Sequence, residues 1–163
     1  MRTRRIKPAE RKKLRKALPV RDKIITDIAF ETGLRVSDIL SLRNDISTHI
    51  ILNEQKTGKL RSVHIRSQTL RAARQYHKTH PTQDGKMFDV DRTTVYRSVH
   101  ETAKRCGLGN NISLHSYRKA FAFDYAQRYG IAATQAELHH NNIATTLIYI
   151  YDVNQLGDEE EDD

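Results

Sequence analysis

Two short β-branched runs interrupt a chain whose other apolar residues recur at helical spacing. This single change of period restricts the fold to a helical body carrying one small sheet. The runs are Ile50-Ile51-Leu52-Asn53-Glu54-Gln55 and Leu60-Arg61-Ser62-Val63-His64-Ile65, separated by Lys56-Thr57-Gly58-Lys59. Gly58 supplies the backbone freedom that a hairpin turn requires. A third strand is admissible near Asn44–Thr48. Elsewhere the pattern predicts helices at 7–18, 20–32, 67–79, 91–106, 114–128, 131–138 and 142–151, with a short one after Gly33. Lys7-Pro8 opens the first, because proline is tolerated in a first turn. Ile24, Ile25, Ile28 and Ala29 stand three and four apart in the second. Gly33 suits a helix C-cap, since it adopts positive φ without a Cβ penalty. Val36, Ile39, Leu40 and Leu42 should then face inward. The expected class is mainly α with a small antiparallel β-sheet (α+β). The 163 residues fit one domain. Within it, 1–19 reads as a basic N-terminal segment or linker, 20–151 as the functional body and 152–163 as an acidic C-terminal tail.

Charge points to a partner. The formal net charge is +8, from 28 basic and 20 acidic residues, but six of the acids sit in Asp158–Asp163. The rest of the chain sets 28 bases against 14 acids, a balance suited to a polyanion, most simply nucleic acid. No apolar run is long enough to span a membrane, and no apolar stretch follows the basic N-terminus as a signal peptide would require. The lone Cys106 cannot form an internal disulfide, which suits a reducing compartment. It reads best as a small packing residue at a helix end.

Several polar residues share helical faces. Arg35 and Asp38 are i, i+3 on the short helix, where Asp38 would hold the guanidinium or simply favour the helix dipole. His115 and Arg118 are i, i+3 in Leu-His-Ser-Tyr-Arg, so they share a face. Lys56 sits in the hairpin turn, where a mobile ammonium can protonate a leaving oxygen; Lys59 is its competitor across Gly58. His139 and His140 precede two tyrosines, Tyr149 and Tyr151. A tyrosine hydroxyl is a poor nucleophile until cations stabilise the charge that its attack creates, and the arginines, lysine and histidines can do that around a phosphodiester. The histidines lack the companion ligands of a zinc site, and no glycine-rich phosphate loop supports ATP use. No metal or other cofactor is therefore expected.

The order Arg35, Lys56, His115-x-x-Arg118, His140, Tyr149 resembles the tyrosine recombinases, the bacteriophage integrase group. The matching segments are Thr-Gly-Leu-Arg-Val-Ser-Asp-Ile-Leu-Ser-Leu (32–42), Lys-Thr-Gly in the hairpin (56–58), Leu-His-Ser-Tyr-Arg (114–118) and Leu-His-His-Asn-Asn-Ile-Ala-Thr-Thr-Leu-Ile-Tyr (138–149). The resemblance implies the tyrosine recombinase catalytic-domain fold and a site-specific recombinase of phage or mobile-element type. It also implies strand breakage and rejoining through a 3′-phosphotyrosyl intermediate without ATP or metal. Arg35 and Arg118 would clamp the phosphate, His115 would accept a proton and Lys56 would protonate the leaving 5′ oxygen. His140 would hydrogen-bond the scissile phosphate, Asp38 would brace the site, and Tyr149 would outrank Tyr151 as the nucleophile. The implied partner is double-stranded DNA, on which the family assembles as a homo-tetramer; alone, a monomer or weak oligomer is expected, in the cytoplasm and at the nucleoid. The competing readings are a type IB topoisomerase-like enzyme and a non-catalytic DNA-binding regulator that kept the fold.

Three departures stand out. His139 occupies a position that is usually glycine in the family. Only a basic segment precedes the matching region, as in an excised catalytic domain or a minimal protein. The residues after Tyr149 are few and acidic, which raises the expectation that the tail competes with DNA.

Overall fold

A computed structural model describes residues 3–151. In chain order it consists of α1 (Pro8–Ala17), α2 (Val20–Thr32), α3 (Val36–Leu40), β1 (His49–Asn53), β2 (Leu60–His64), α4 (Ser67–Thr79), α5 (Arg92–Arg105), α6 (Leu114–Tyr129), α7 (Ile131–Glu137) and α8 (Ile143–Tyr151). All seven longer predicted helices are present, with ends within one residue of the expected bounds. The acidic tail lies outside the described residues. Among those residues, no helix is long and apolar enough to cross a membrane.

The sheet has two antiparallel strands, with Ile50 opposite Val63 and Leu52 opposite Arg61. The third strand at Asn44–Thr48 does not form. Arg43 makes an isolated bridge to Lys86 instead, and the Asn44 amide donates to Gly85 O at 3.0 Å. Those backbone groups are thus paired with the loop before α5. Strand β1 also stops earlier than its sequence run. The Gln55 amide turns away to Asp38 Oδ1 at 2.7 Å, and the Gly58 amide closes the turn on Glu54 O at 2.8 Å.

Helices α2 and α6 form the spine. They pack on each other, with α4 also on α2 and with α7 and α8 on α6. Ile24, Ile25, Ile28 and Ala29 of α2 are buried together with Tyr117 and Ala120 of α6. Burial of this kind provides most of the driving force, about 25 cal/mol per Å² of apolar surface. Ile6, Leu14 and Leu18, from the basic N-terminal segment, lie in the same core. Arg4 holds the entry to α1 with a bidentate pair to Glu10 at 2.8 and 2.9 Å. Cys106 is the C-cap residue of α5 and is half-buried against the core.

Three local devices aim the polar residues inward. Gly33 ends α2 in the left-handed conformation, φ 64°, and a Cβ there would lie 2.3 Å from Phe121 Cδ1. The next turn can therefore begin at once with Arg35 as N-cap of α3. Ser113 caps α6: its hydroxyl accepts the His115 amide at 3.2 Å, and Ser116 Oγ accepts the Ser113 amide at 3.1 Å. This fixes the first turn and hence the face shared by His115 and Arg118. At the end of α7, His139 takes φ 55°, the only positive value on a non-glycine residue among the described residues. The reversal carries His140 back toward α6, and Asn142 Oδ1 accepts the Ala144 amide at 2.9 Å to start α8.

Candidate active site

The Gly33 carbonyl is where the site is assembled. It accepts from Arg118 Nη1 and, at 3.4 Å, from Arg61 Nη1. Arg118 also donates from Nη2 to Leu138 O at 3.1 Å, and it is 1% exposed. Arg118 thereby ties the end of α2 to the end of α7. Burial pushes its guanidinium pKa down to about 10; Arg35 and Arg61 add repulsion, against the favourable pull of Tyr149 and Glu54. At neutral pH it remains a cation.

Tyr149 lies in the middle of this arrangement and is 6% exposed. Its ring meets His115 edge-on at 4.9 Å between centroids and His140 edge-on at 4.7 Å. Arg118 Cζ is 5.9 Å and Lys119 Nζ 5.7 Å from the same ring centroid. Tyr151, two residues on, is 58% exposed. Burial thus separates the two tyrosines that sequence offered as nucleophiles.

His140 Nδ1 pairs with Thr146 Oγ1 at 2.9 Å, while Nε2 is buried with no hydrogen-bond partner among the described residues. Its pKa is pushed down to about 3, first by burial and then by the positive field of Arg118, Arg35, His115 and Arg61. The imidazole is neutral at physiological pH. In the tautomer in which Thr146 donates to Nδ1, Nε2 carries the proton and is a hydrogen-bond donor.

Arg35 Nη1 lies 3.5 Å from Glu54 Oε1, but it makes no hydrogen bond among the described residues. Its expected partner, Asp38, faces elsewhere: Asp38 Oδ1 accepts the Gln55 amide at 2.7 Å. Burial raises the Asp38 pKa and Glu54 adds to it, against the opposing pull of Gln55, Arg35 and Arg118. Asp38 therefore braces the hairpin turn directly, and Arg35 only through the field.

Lys56 is exposed on that turn. It is joined to the cluster through its neighbour Thr57, whose hydroxyl donates to Glu54 Oε2 at 2.8 Å. Lys59 reaches across to Asn141 Oδ1 at 3.2 Å, next to His140. The structure therefore gathers Arg35, Asp38, His115, Arg118, His140 and Tyr149 around one buried centre, while Lys56 is exposed on the turn that Asp38 and Glu54 hold.

The sequence reading missed Glu54 and Arg61, and it named His139 only as the neighbour of His140 and as a departure from the family's glycine. Glu54 is 1% exposed and receives Thr57, Arg61 Nη1 at 3.3 Å and His139 Nδ1 at 3.0 Å. Burial would raise its carboxyl pKa, but Thr57, His139, Arg35 and Arg61 outweigh that and hold it below the usual range. Arg61 Nη2 also bonds Thr32 O at 2.6 Å and Glu137 Oε1 at 3.1 Å. Strand alternation was the available signal: Glu54 follows Ile50 and Leu52 at period two, and Arg61 shares a face with Val63. A charged residue on the inward face of a strand must find partners.

The arrangement leaves Arg35 Nη1, Arg118 Nε and His140 Nε2 buried without hydrogen-bond partners among the described residues. Uncommitted buried donors on cationic groups call for an anionic acceptor, and a tetrahedral phosphodiester offers oxygens in several directions. No three His, Cys, Asp or Glu side chains among the described residues are grouped to hold a metal ion.

Comparison with known proteins fits this geometry. Residues 4–155 match the model of the phage integrase family. The tyrosine recombinase XerA of Saccharolobus solfataricus is 32% identical over 136 residues, which cover 80% of this chain and 46% of that protein. The chain spans about half the length of the curated relatives it matches. A crystal structure of XerA recombinase superposes with TM-score 0.77 and 24% identity, covering 95% of this chain and 62% of that one. A lambda integrase tetramer bound to a Holliday junction gives TM-score 0.72 at 18% identity, covering 99% and 52%. The mainly helical body with its two-stranded sheet is thus the tyrosine recombinase catalytic-domain fold.

Proposed function

The chain belongs to the phage integrase family, and on that premise we propose that it is the strand-cleaving unit of a site-specific DNA recombinase, with Tyr149 as nucleophile. Tyr149 Oη attacks the scissile phosphorus, forming a 3′-phosphotyrosyl bond as the bond to the 5′ oxygen breaks. The phenolic proton passes to His115, and Lys56 supplies a proton to the departing 5′ oxygen. A 5′ hydroxyl from another strand then reverses both steps. The ester energy is retained in the protein–DNA link, so neither ATP nor a metal enters the balance.

The observation that carries this reading is the Tyr149 ring held between two imidazoles, beside donors on Arg35, Arg118 and His140 that lack acceptors among the described residues. Charge grows on the nonbridging oxygens in the transition state, and fixed donors there are the largest expected catalytic effect. The loss of one typically costs about 3–4 kcal/mol. His140 serves as a neutral donor. Asp38 and Glu54 support the turn and the arginines from behind. Lys56 stands beside the Thr57 that Glu54 anchors, and we assign the acid role to Lys56.

Double-stranded DNA is the proposed substrate, bound mainly through backbone phosphates by a strongly basic surface. The lambda integrase neighbour is a tetramer on a Holliday junction, and the same assembly on DNA is proposed here, at the nucleoid. A nicked duplex whose short 5′ fragment diffuses away tests the reading. The wild-type chain should accumulate a covalent complex, Tyr151→Phe should do the same, and Tyr149→Phe should give none. Trapping by Tyr149→Phe but not by Tyr151→Phe would reassign the nucleophile. The absence of any complex would leave a DNA-binding regulator.

A further inference from the structure

His139 adopts φ 55°, a conformation that disfavours a side chain with a Cβ by about 1–2 kcal/mol. Such strain persists where surrounding contacts over-determine it. Here the contact is visible. His139 Nδ1 lies 3.0 Å from Glu54 Oε2, the oxygen that also accepts the Thr57 hydroxyl at 2.8 Å. One carboxylate oxygen thus joins the segment bearing His140 to the turn bearing Lys56, across 85 residues of sequence. A second bridge joins the same two segments, from Lys59 Nζ to Asn141 Oδ1 at 3.2 Å. Glycine would satisfy the backbone at 139 with less strain, and it would remove the bridge to Glu54.

We propose that His139 is a positioning residue, which acts through Glu54 and Thr57 to hold the 55–58 turn, and with it Lys56, in register with His140. This rests on the recombinase reading above. The role is specific: it concerns protonation of the leaving oxygen and not the phosphate clamp. Arg118 is held by the Gly33 and Leu138 carbonyls, and Arg35 lies by Oε1 of Glu54, the oxygen that the His139 ring does not touch. A turn displaced by about 1 Å can lower a rate by as much as a hundredfold.

The test is His139→Gly in the full chain, which relieves the backbone strain but removes a bond to buried Glu54, so wild type and variant are compared where urea denaturation shows both fully folded. Gln55 and Gly58 amides should exchange several-fold faster than in the wild type, because their bonds to Asp38 and Glu54 O loosen. Single-turnover cleavage of an ordinary nicked duplex should slow about tenfold. With sulfur in place of the bridging 5′ oxygen, the leaving thiolate is weakly basic and needs no proton, so wild type and variant should agree within about twofold. Equal cleavage rates on the ordinary duplex, an equal loss on both substrates, or unchanged exchange would overturn the role. A wild-type chain that forms no covalent complex on either substrate overturns the recombinase reading itself, and this role with it.

Discussion

Lowering the pH from 7.5 to 5 should destabilise this fold through His140 by about 2 kcal/mol. The folded imidazole has its pKa pushed down to about 3, against an ordinary 6.5. Burial removes the water that would solvate an imidazolium, and Arg118, Arg35, His115 and Arg61 surround it with positive potential. Between those two values the unfolded chain binds a proton that the folded chain refuses. Stability is therefore full above pH 6.5 and falls as pH drops toward 3. Each pH unit in that window is worth about 1.4 kcal/mol, and pH 5 lies about one and a half units below the unfolded value. For a domain whose whole stability is about 5–15 kcal/mol, this is a large share.

The assay is urea denaturation of the wild type and His140→Gln at both pH values. Groups common to the two proteins, the buried Asp38 carboxyl among them, cancel in the comparison. The wild type should lose about 2 kcal/mol more than the variant, and the imidazole resonance of His140 should not titrate above pH 5. A duplex carrying a phosphate at the site supplies the missing negative charge, so bound DNA should raise that pKa. Identical pH dependence in the two proteins, or an imidazole titrating near its ordinary value, would refute the argument that this histidine is held neutral by burial and the arginines.

Other changes follow from the same geometry. Gly33→Ala would force a Cβ to 2.3 Å from Phe121 at φ 64°, and urea denaturation should show a loss of about 2–4 kcal/mol from overpacking and backbone strain together. Arg61→Met should cost about 3–5 kcal/mol because the Glu54 charge stays buried with weaker pairing, and adding Glu54→Gln should recover part of it. Deleting residues 158–163 removes six carboxylates and should tighten binding to duplex DNA in a salt-titrated affinity measurement; unchanged affinity would show that the tail does not compete with DNA.

The helices were legible from apolar residues three and four apart, as in α2, and from two local signals, Pro8 in the first turn of α1 and Gly33 at the end of α2. The hairpin was legible from its change of period. The third strand failed because Asn44 pairs with Gly85, a contact 41 residues away, and no local pattern announces it. Arg35 and Asp38 illustrate the other limit. Their i, i+3 spacing made a mutual bond reasonable, yet Asp38 takes the Gln55 amide and Arg35 sits by Glu54. Spacing along one helix says which side chains share a face; a competing partner on another element decides which bond forms.

That competition also explains why the site holds together before any DNA is present. Three guanidiniums converge near His140, and bare repulsion would scatter them. Arg61 is neutralised by Glu54 and Glu137 and bonded to Thr32 O and Gly33 O, and Arg118 is bound to two backbone carbonyls. Arg61 therefore holds the carboxylate beside which Arg35 rests, and the Arg118 backbone bonds fix its plane while Nε lacks an acceptor among the described residues. The residues missed in the sequence are the ones that allow the recognised ones to stay close, cationic and incompletely satisfied. An anion arriving there gains prearranged donors without reorganising the protein, which is the condition under which electrostatic stabilisation of a phosphoryl transition state is most effective.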